Sequence, residues 1–361
     1  MSPLDLPLTL NEEQVSLFQS QLLTWFKDHG RHDLPWQTNK TPYRVWVSEI
    51  MLQQTQVKTA SPYYLRFMTE FPSLSSLAKA SQDDVLALWS GLGYYSRARN
   101  LHKAAQVAVA DFNGNLPINL EQLVSLPGIG RSTAGAILAL SSNQRTPIQD
   151  GNVRRVLSRV FLIEGDLSKA NKQKLLWQLA DDLTPEHDVA DYTQAIMDLG
   201  ATLCTRSKPN CTDCPFANFC QAKAVDKQAD YPQKKQTKPI PRRSEYFLLC
   251  LANDQLLMEQ RPNSGIWGKL WCPPNFQSID EAKQFCNLRQ IDCTAMTRLE
   301  PIIHRFSHYQ LTLNPIVVQT TRANQVAESG QQWLMPEQWL KRGIPTPIKQ
   351  ILNLIQTDNK G

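Results

Sequence analysis

No stretch of the 361-residue sequence approaches the roughly 18 consecutive apolar residues that a membrane helix requires, so no membrane-spanning helix is expected. Met1-Ser2-Pro3-Leu4-Asp5 lacks the charged and apolar regions of a secretory signal, and a cytoplasmic location is expected. Charge of one sign is also scarce: 38 Lys and Arg against 33 Asp and Glu leave a formal net charge of +5. That balance falls short of a nucleic-acid binder recognisable by charge alone, so it permits a polyanionic partner without demanding one. No internal repeat at a fixed period is present, which argues against solenoids and propellers. From Leu10 to about Ala201 there is almost no sustained two-residue alternation of the kind strands need.

What is there reads as two domains, the default for a chain of this length. The first is all-α, punctuated by Pro and Gly. Thr41-Pro42 precedes an apolar-periodic run as an N-cap with Pro in the first turn, and Asn119 with Gln122 suits a capping-box variant. From Val225 to Arg243 the chain turns rich in Pro, Lys and Arg (Pro232, Pro239, Pro241, Lys234, Lys235, Lys238) and poor in large apolar residues. This is a linker, expected over 226–243, between a first domain at 1–225 and a second at 244–361. Beyond it Tyr246 to Ala252 is strand-like, Asn253-Asp254 a turn, Leu256 to Glu259 its return and Tyr309 to Leu313 alternating. A small α+β domain closed by a helix over Pro347 to Ile355 is therefore expected.

Eight cysteines in a reducing compartment are poor disulfide candidates, and four of them crowd together: Cys204, Cys211, Cys214 and Cys220 form C-x6-C-x2-C-x5-C. Thiolates bind both zinc and iron–sulfur clusters, and this spacing alone leaves the two open. Arg206 and Lys208 inside the long loop suit phosphate contact. Leu126-Pro127-Gly128-Ile129-Gly130, between the segment Leu120 to Leu126 and an Ala-rich helix from Arg131 to Leu140, is a helix–hairpin–helix signal. Two glycines there permit φ > 0, so backbone N–H groups and the next helix's N-terminus can point at one phosphate; an ordinary interhelical turn has the same sequence.

Glu49 lies on a helix expected from Pro42 to about Gln54, with Val45, Trp46 and Leu52 as same-face neighbours. Burial without a cation raises a carboxyl pKa toward what a general acid needs near neutrality, unless Arg44 or a Tyr satisfies it. Asp150 opens Asp150-Gly151-Asn152 ahead of the helix Val153 to Phe161, where N–H donors and the dipole would hold it ionised, as in any N-cap. Together the two carboxyls divide labour as cleavage through an oxocarbenium-like sugar demands. Gly91-Leu92-Gly93-Tyr94-Tyr95 sets aromatics on a turn followed by Arg97 and Arg99. A Tyr wedging into a base stack while the arginines hold phosphates is one reading, a Tyr packed under its own turn the other.

In this order Glu49 to Thr55, Gly91 to Tyr95, Leu126 to Gly130, Asp150 to Asn152 and the four cysteines resemble the helix–hairpin–helix DNA glycosylase superfamily, and most closely its adenine-specific mismatch branch, the MutY family. The likeness covers nearly the whole chain. It implies a monofunctional base-excision-repair enzyme removing adenine mispaired with 8-oxoguanine or guanine, with double-stranded DNA as partner and a monomeric state. Glu49 would be the acid and manage the water, Asp150 would stabilise the sugar cation or transiently bond to it, and Asn152 would sit beside the sugar. Gln54 and Tyr94 would fill and wedge the stack, Leu126, Gly128, Gly130 and Ser132 belong to the DNA-binding hairpin, and the cysteines would hold a [4Fe-4S] cluster. Where lyase relatives carry a nucleophilic Lys, two past the second hairpin glycine, this chain has Ser132, and a hydroxyl forms no Schiff base.

The second domain resembles a Nudix fold, with Gly268-Lys269-Leu270-Trp271 at the corresponding loop. From Ser278 to Gln290, however, Glu281 is the only Glu, so nucleotide hydrolysis is not expected. His304-Arg305-Phe306-Ser307-His308 supplies an aromatic, a hydroxyl and an imidazole, and its Phe306, Ser307 and His308 look like the family's loop for sensing 8-oxoguanine. The rivals are an endonuclease III-like glycosylase/AP lyase for damaged pyrimidines and a non-catalytic DNA-binding scaffold. The first is disfavoured by Ser132 and the extra domain, the second by two carboxylates that phosphate binding does not need.

Overall fold

The computed structural model describes residues 9–233, 239–320, 330–339 and 341–358. The N-terminal Met1 to Asp5 and the linker's Lys234, Lys235 and Lys238 lie outside them. Before residue 239 every described element is helical: α1 (Glu12–His29), α2 (Pro42–Leu52), α3 (Val57–Glu70), α4 (Leu74–Lys79), α5 (Gln82–Trp89), α6 (Ser96–Asp111), α7 (Leu120–Ser125), α8 (Arg131–Ser142), α9 (Gly151–Val160), α10 (Ala170–Leu183), α11 (Val189–Thr202) and α12 (Gln221–Ala224). The starts follow local chemistry. Thr41 caps α2 by accepting from the Arg44 N–H with Pro42 in the first turn, and Asn119 caps α7 by accepting from the Gln122 N–H. No described helix is long and apolar enough to cross a membrane.

The rest is β1 (Arg242–Ala252), β2 (Gln255–Gln260), β3 (Trp271–Cys272), β4 (Asn275–Phe276), α13 (Ile279–Leu288), β5 (Met296–Arg298), β6 (Ile302–Arg305), β7 (Gln310–Gln319), β8 (Gln331–Leu334), α14 (Pro336–Trp339) and α15 (Thr346–Asp358). Asn253 and Asp254 both take positive φ, as a tight hairpin needs, and join β1 to β2. The sheet runs β3-β2-β1-β7-β5, with β4 on β1, β6 on β7 and β8 on β2; β1 and β7 pair in parallel from Arg242 with Gln310 to Leu251 with Gln319. One core gathers Leu248, Cys250, Leu257, Ile316 and Val318 beneath Cys286 and Ile291.

The chain forms two compact units. One comprises residues up to 75 together with 103–236; the other joins 76–102 to everything from 237 onward. In the first, α2 packs on α8 and α11 packs on α1, α8 and α9. That packing brings Glu49, on α2, and Asp150, at the start of α9, into one site.

Candidate active site and cysteine cluster

Glu49 sits on α2 among buried neighbours: Val45 and Trp46 on its own face, with Ile50 and Met51 beside it. Among the described residues no donor or cation pairs with its carboxyl, because Arg44 turns to the Tyr64 ring, 5.8 Å from its centroid. Desolvation, and secondarily the charge of Asp150, push Glu49 from 4.5 up to about 8. The residue keeps intermediate exposure, so the group is desolvated without being sealed in.

Asp150 caps α9. Its Oδ1 accepts from the Val153 N–H at 2.8 Å and its Oδ2 from the Asn152 side chain at 3.0 Å. The expectation that these donors leave it an ordinary ionised carboxylate needs correction. Burial outweighs the bonds from Val153 and Asn152 and the charge of Arg155, so Asp150 too is raised above its usual value. Ser132 supports the same turn, since its hydroxyl accepts from the Gln149 N–H at 3.0 Å.

Behind the caps stand two arginines that apolar periodicity did not single out. Arg155 donates to Asn152 Oδ1 at 2.7 Å, Gly200 O at 2.6 Å and Cys204 O at 2.7 Å. Arg159, 1% exposed, donates to Cys204 Sγ at 3.3 Å and to the carbonyls of Thr205, Arg206 and Tyr231. A buried Arg needs carbonyl partners for its five donors, and the cysteine loop provides them. The only signal in sequence was an i, i+4 arginine pair on an otherwise apolar face.

Cys204, Cys211, Cys214 and Cys220 line one small cavity of about 20 Å³, walled by Val156, Leu199 and Phe216. Burial and the neighbouring thiols push Cys214 up to about 12. Four such sulfurs become thiolates together only if a cationic centre offsets their charge, so the donor set fits a soft metal centre, a zinc ion or an iron–sulfur cluster alike. The four thiols surround a shared space. Arg206 and Lys208 are exposed on the loop.

The hairpin needs only one of its glycines in the left-handed region. Gly128 has φ +80, while Gly130 has φ −89 and serves as the N-cap of α8 without a side-chain cap. Both are exposed, and no described acceptor takes their N–H groups. Leu126, placed with the DNA-binding hairpin by resemblance, is 2% exposed, and its N–H and C=O bond to Leu123 and Ile129. It shapes the turn from inside.

Gln54 is exposed at φ +54 just past α2. In the second unit the two tyrosines of the turn differ in exposure. Tyr94 is 50% exposed, while Tyr95, 8% exposed, tucks beneath the turn with its OH 3.3 Å from the Gly91 N–H. The arginines after them bond to backbone carbonyls: Arg97 is buried and donates to Leu92 and Gly93, and Arg99 donates to Gly268 O at 2.9 Å. Between β6 and β7, Phe306 is half-buried against Trp267, His304 and Tyr309, with ring centroids 5.5, 4.6 and 4.8 Å away; Ser307 and His308 are exposed.

Comparison with known proteins adds independent findings. The family model "HhH-GPD superfamily base excision DNA repair protein" matches residues 47–181, and "NUDIX domain" matches 245–354. The chain is 39% identical over 338 residues to an adenine DNA glycosylase of Buchnera aphidicola subsp. Acyrthosiphon pisum (strain APS), covering 93% of this chain and 97% of that protein. It is 32% identical over 415 residues to the adenine DNA glycosylase of Homo sapiens, covering 96% and 76%. A thermostable thymine-DNA glycosylase structure aligns with TM-score 0.54 at 27% identity, over 59% of this chain and 98% of that one. A non-covalent endonuclease III–DNA complex aligns with TM-score 0.51 at 18% identity, over 60% and 99%, which speaks to fold alone.

Proposed function

The chain belongs to the adenine DNA glycosylase family of base-excision repair, with a helix–hairpin–helix domain followed by a Nudix-like one, and from that premise we propose which residues carry each step. The activity is release of adenine from DNA by hydrolysis of its N-glycosyl bond. The substrate is a duplex with adenine opposite 8-oxoguanine or guanine, read by a monomer in the cytoplasm. Domains at 1–225 and 244–361 joined by a 226–243 linker are part of this reading.

Glu49 is the general acid. Held protonated at neutral pH, it donates to the adenine ring as the glycosyl bond lengthens, and the resulting carboxylate accepts a proton from the water that attacks the sugar. Asp150 faces the developing positive charge, held in place by the Val153 N–H and Asn152. The observation that carries this reading is the pair itself: two carboxyls close enough for one to raise the other, with Glu49 at about 8 and Asp150 well bonded. Ser132, bonded to the Gln149 N–H, supplies no amine, which supports a monofunctional enzyme. Exposed N–H groups of Gly128, Gly130 and the first turn of α8 suit one phosphate, Gln54 and Tyr94 fill and wedge the stack, and Phe306, Ser307 and His308 read the base opposite. Cys204, Cys211, Cys214 and Cys220 would hold a [4Fe-4S] cluster, whose bound form would tie down the loop from 204 to 220.

The test is alkali-dependent strand scission on duplexes carrying adenine opposite 8-oxoguanine, adenine opposite guanine, or thymine glycol. Cleavage of the first two, with the first preferred, and no efficient borohydride trapping are expected. Turnover-competent trapping or thymine glycol excision would favour the endonuclease III-like reading, and binding without excision the scaffold.

A further inference from the structure

Asp83, near the start of α5, is a meeting point that no step above uses. Its carboxylate accepts from Gln260 Nε2 at 3.0 Å, Trp271 Nε1 at 3.3 Å and Arg342 at 2.5 Å, and Arg342 also lies 5.0 Å from the Trp271 ring centroid. The side chains of Asp83 and Arg342 are 20% and 29% exposed, so the charge-assisted pair is partly buried. At the far end of α5, Ser90 Oγ donates to Ile344 O at 2.6 Å; after the turn, Tyr95 OH reaches the same carbonyl at 3.5 Å and Arg99 holds Gly268 O. Between these anchors the backbone at Gly343 lies directly on α5: a Cβ there would fall 2.7 Å from Leu86 Cβ and 2.9 Å from Leu270 Cδ2.

These contacts bracket residues 91–95. Inside the turn, the Trp89 and Arg97 side chains both donate to Gly93 O, so its polar groups face inward. Only Tyr94, at φ +48, stands out of it. A side chain that opens a base stack must resist the stack's restoring force, and a short turn does so only if its supports are stiff.

We propose that Asp83, gripped by Arg342, Trp271 and Gln260, is a positioning residue for Tyr94: it fixes α5 against the C-terminal sheet and so sets the turn from which Tyr94 enters the stack. The proposal rests on the reading of Tyr94 as the wedge. It also makes the Nudix-like sheet a mechanical support for unstacking the adenine, in addition to a reader of the opposite base.

The experiment uses the full chain with Asp83→Asn, Arg342→Met, Tyr94→Ala and the double variant Asp83→Asn/Tyr94→Ala. Three readouts are needed: single-turnover excision at saturating enzyme on adenine opposite 8-oxoguanine, the fluorescence rise of 2-aminopurine substituted for that adenine, and affinity for a tetrahydrofuran abasic analogue, which needs no unstacking. Asp83→Asn should slow excision and the fluorescence rise together by about tenfold, with abasic affinity held within about twofold. The double variant should be no slower than Tyr94→Ala, since both act on one step. Arg342→Met should repeat the pattern and carries the test if Asp83→Asn does not fold. Additive losses in the double variant, or a parallel loss of abasic affinity, would overturn the proposal. If Tyr94→Ala slows excision and neither clamp variant does, the wedge stands and this proposal alone falls; if Tyr94→Ala changes nothing, both fall.

Discussion

Burial and, after it, the charge of Asp150 oppose ionisation of Glu49 and push it up to about 8. Single-turnover excision should therefore fall as pH rises through about 8, where the acid is lost, and an acid limb should appear above the ordinary Asp range because Asp150 is raised as well. A pH–rate profile checks both limbs; an alkaline limb missing up to pH 9 would contradict the assignment. The same shift has a stability consequence. A carboxyl whose folded-state pKa is raised contributes stability below its unfolded value of 4.5 and loses it as pH climbs through about 8. Glu49→Gln should thus raise the melting temperature by a few degrees at pH 8.5, with the gain vanishing near pH 4.5, as differential scanning at the two pH values would show. Glu49 and Asp150 were legible in the sequence because a lone carboxyl on an apolar stripe and one at a helix start are both anomalies of pattern. The arginines were not. Arg155 and Arg159 bond to carbonyls around Cys204, and Arg97 and Arg99, for which phosphate contact was one of two readings, bond to carbonyls that only the folded turn brings within reach.

Helix α9 ties the chemistry to the cysteine loop: its first residues hold Asp150, and one and two turns later Arg155 and Arg159 grip the carbonyls around Cys204. Anaerobically purified protein should carry about four irons with broad visible absorption. Cys→Ser at any of the four positions should cost the loop's order and DNA affinity more than the chemical step; stoichiometric zinc without iron would contradict the cluster. The loop from β6 to β7 makes a different prediction. Phe306 is half-buried by Trp267, His304 and Tyr309, so its ring edge is fixed while Ser307 and His308 stay in solvent. Phe306→Ala with Ser307→Ala should reduce the affinity ratio between 8-oxoguanine and guanine opposite adenine by about tenfold, with little change in salt dependence because no cation is removed. An unchanged ratio would place recognition elsewhere. Element boundaries were readable where caps and turns are local, as at Thr41, Asn119 and Asn253-Asp254. The parallel pairing of β1 with β7 was not, because it joins segments some sixty residues apart that no short-range signal connects.

On the scale of the whole molecule, the helical part and the mixed sheet follow the two halves read from periodicity, but the compact units do not follow the chain order: residues 76–102 group with the C-terminal half. Sequence composition marks the linker because Pro and Lys cluster there; it carries no mark for a helix whose partners come from residues beyond 260. A chain ending near Val225 would leave Leu86 and Ser90 without Gly343 and Ile344, so it should melt lower and excise adenine opposite guanine more slowly than the full chain, in addition to losing preference for 8-oxoguanine. Equal melting and equal rates on that mispair would show that 76–102 does not depend on the C-terminal half. The most direct test of the account is single-turnover adenine release from a duplex with adenine opposite 8-oxoguanine, measured for the full-length protein and for Glu49→Gln at saturating enzyme. The acid assignment predicts a loss of at least about 100-fold in rate with affinity kept within about threefold. A Glu49→Gln protein that releases adenine at near the unsubstituted rate would contradict it.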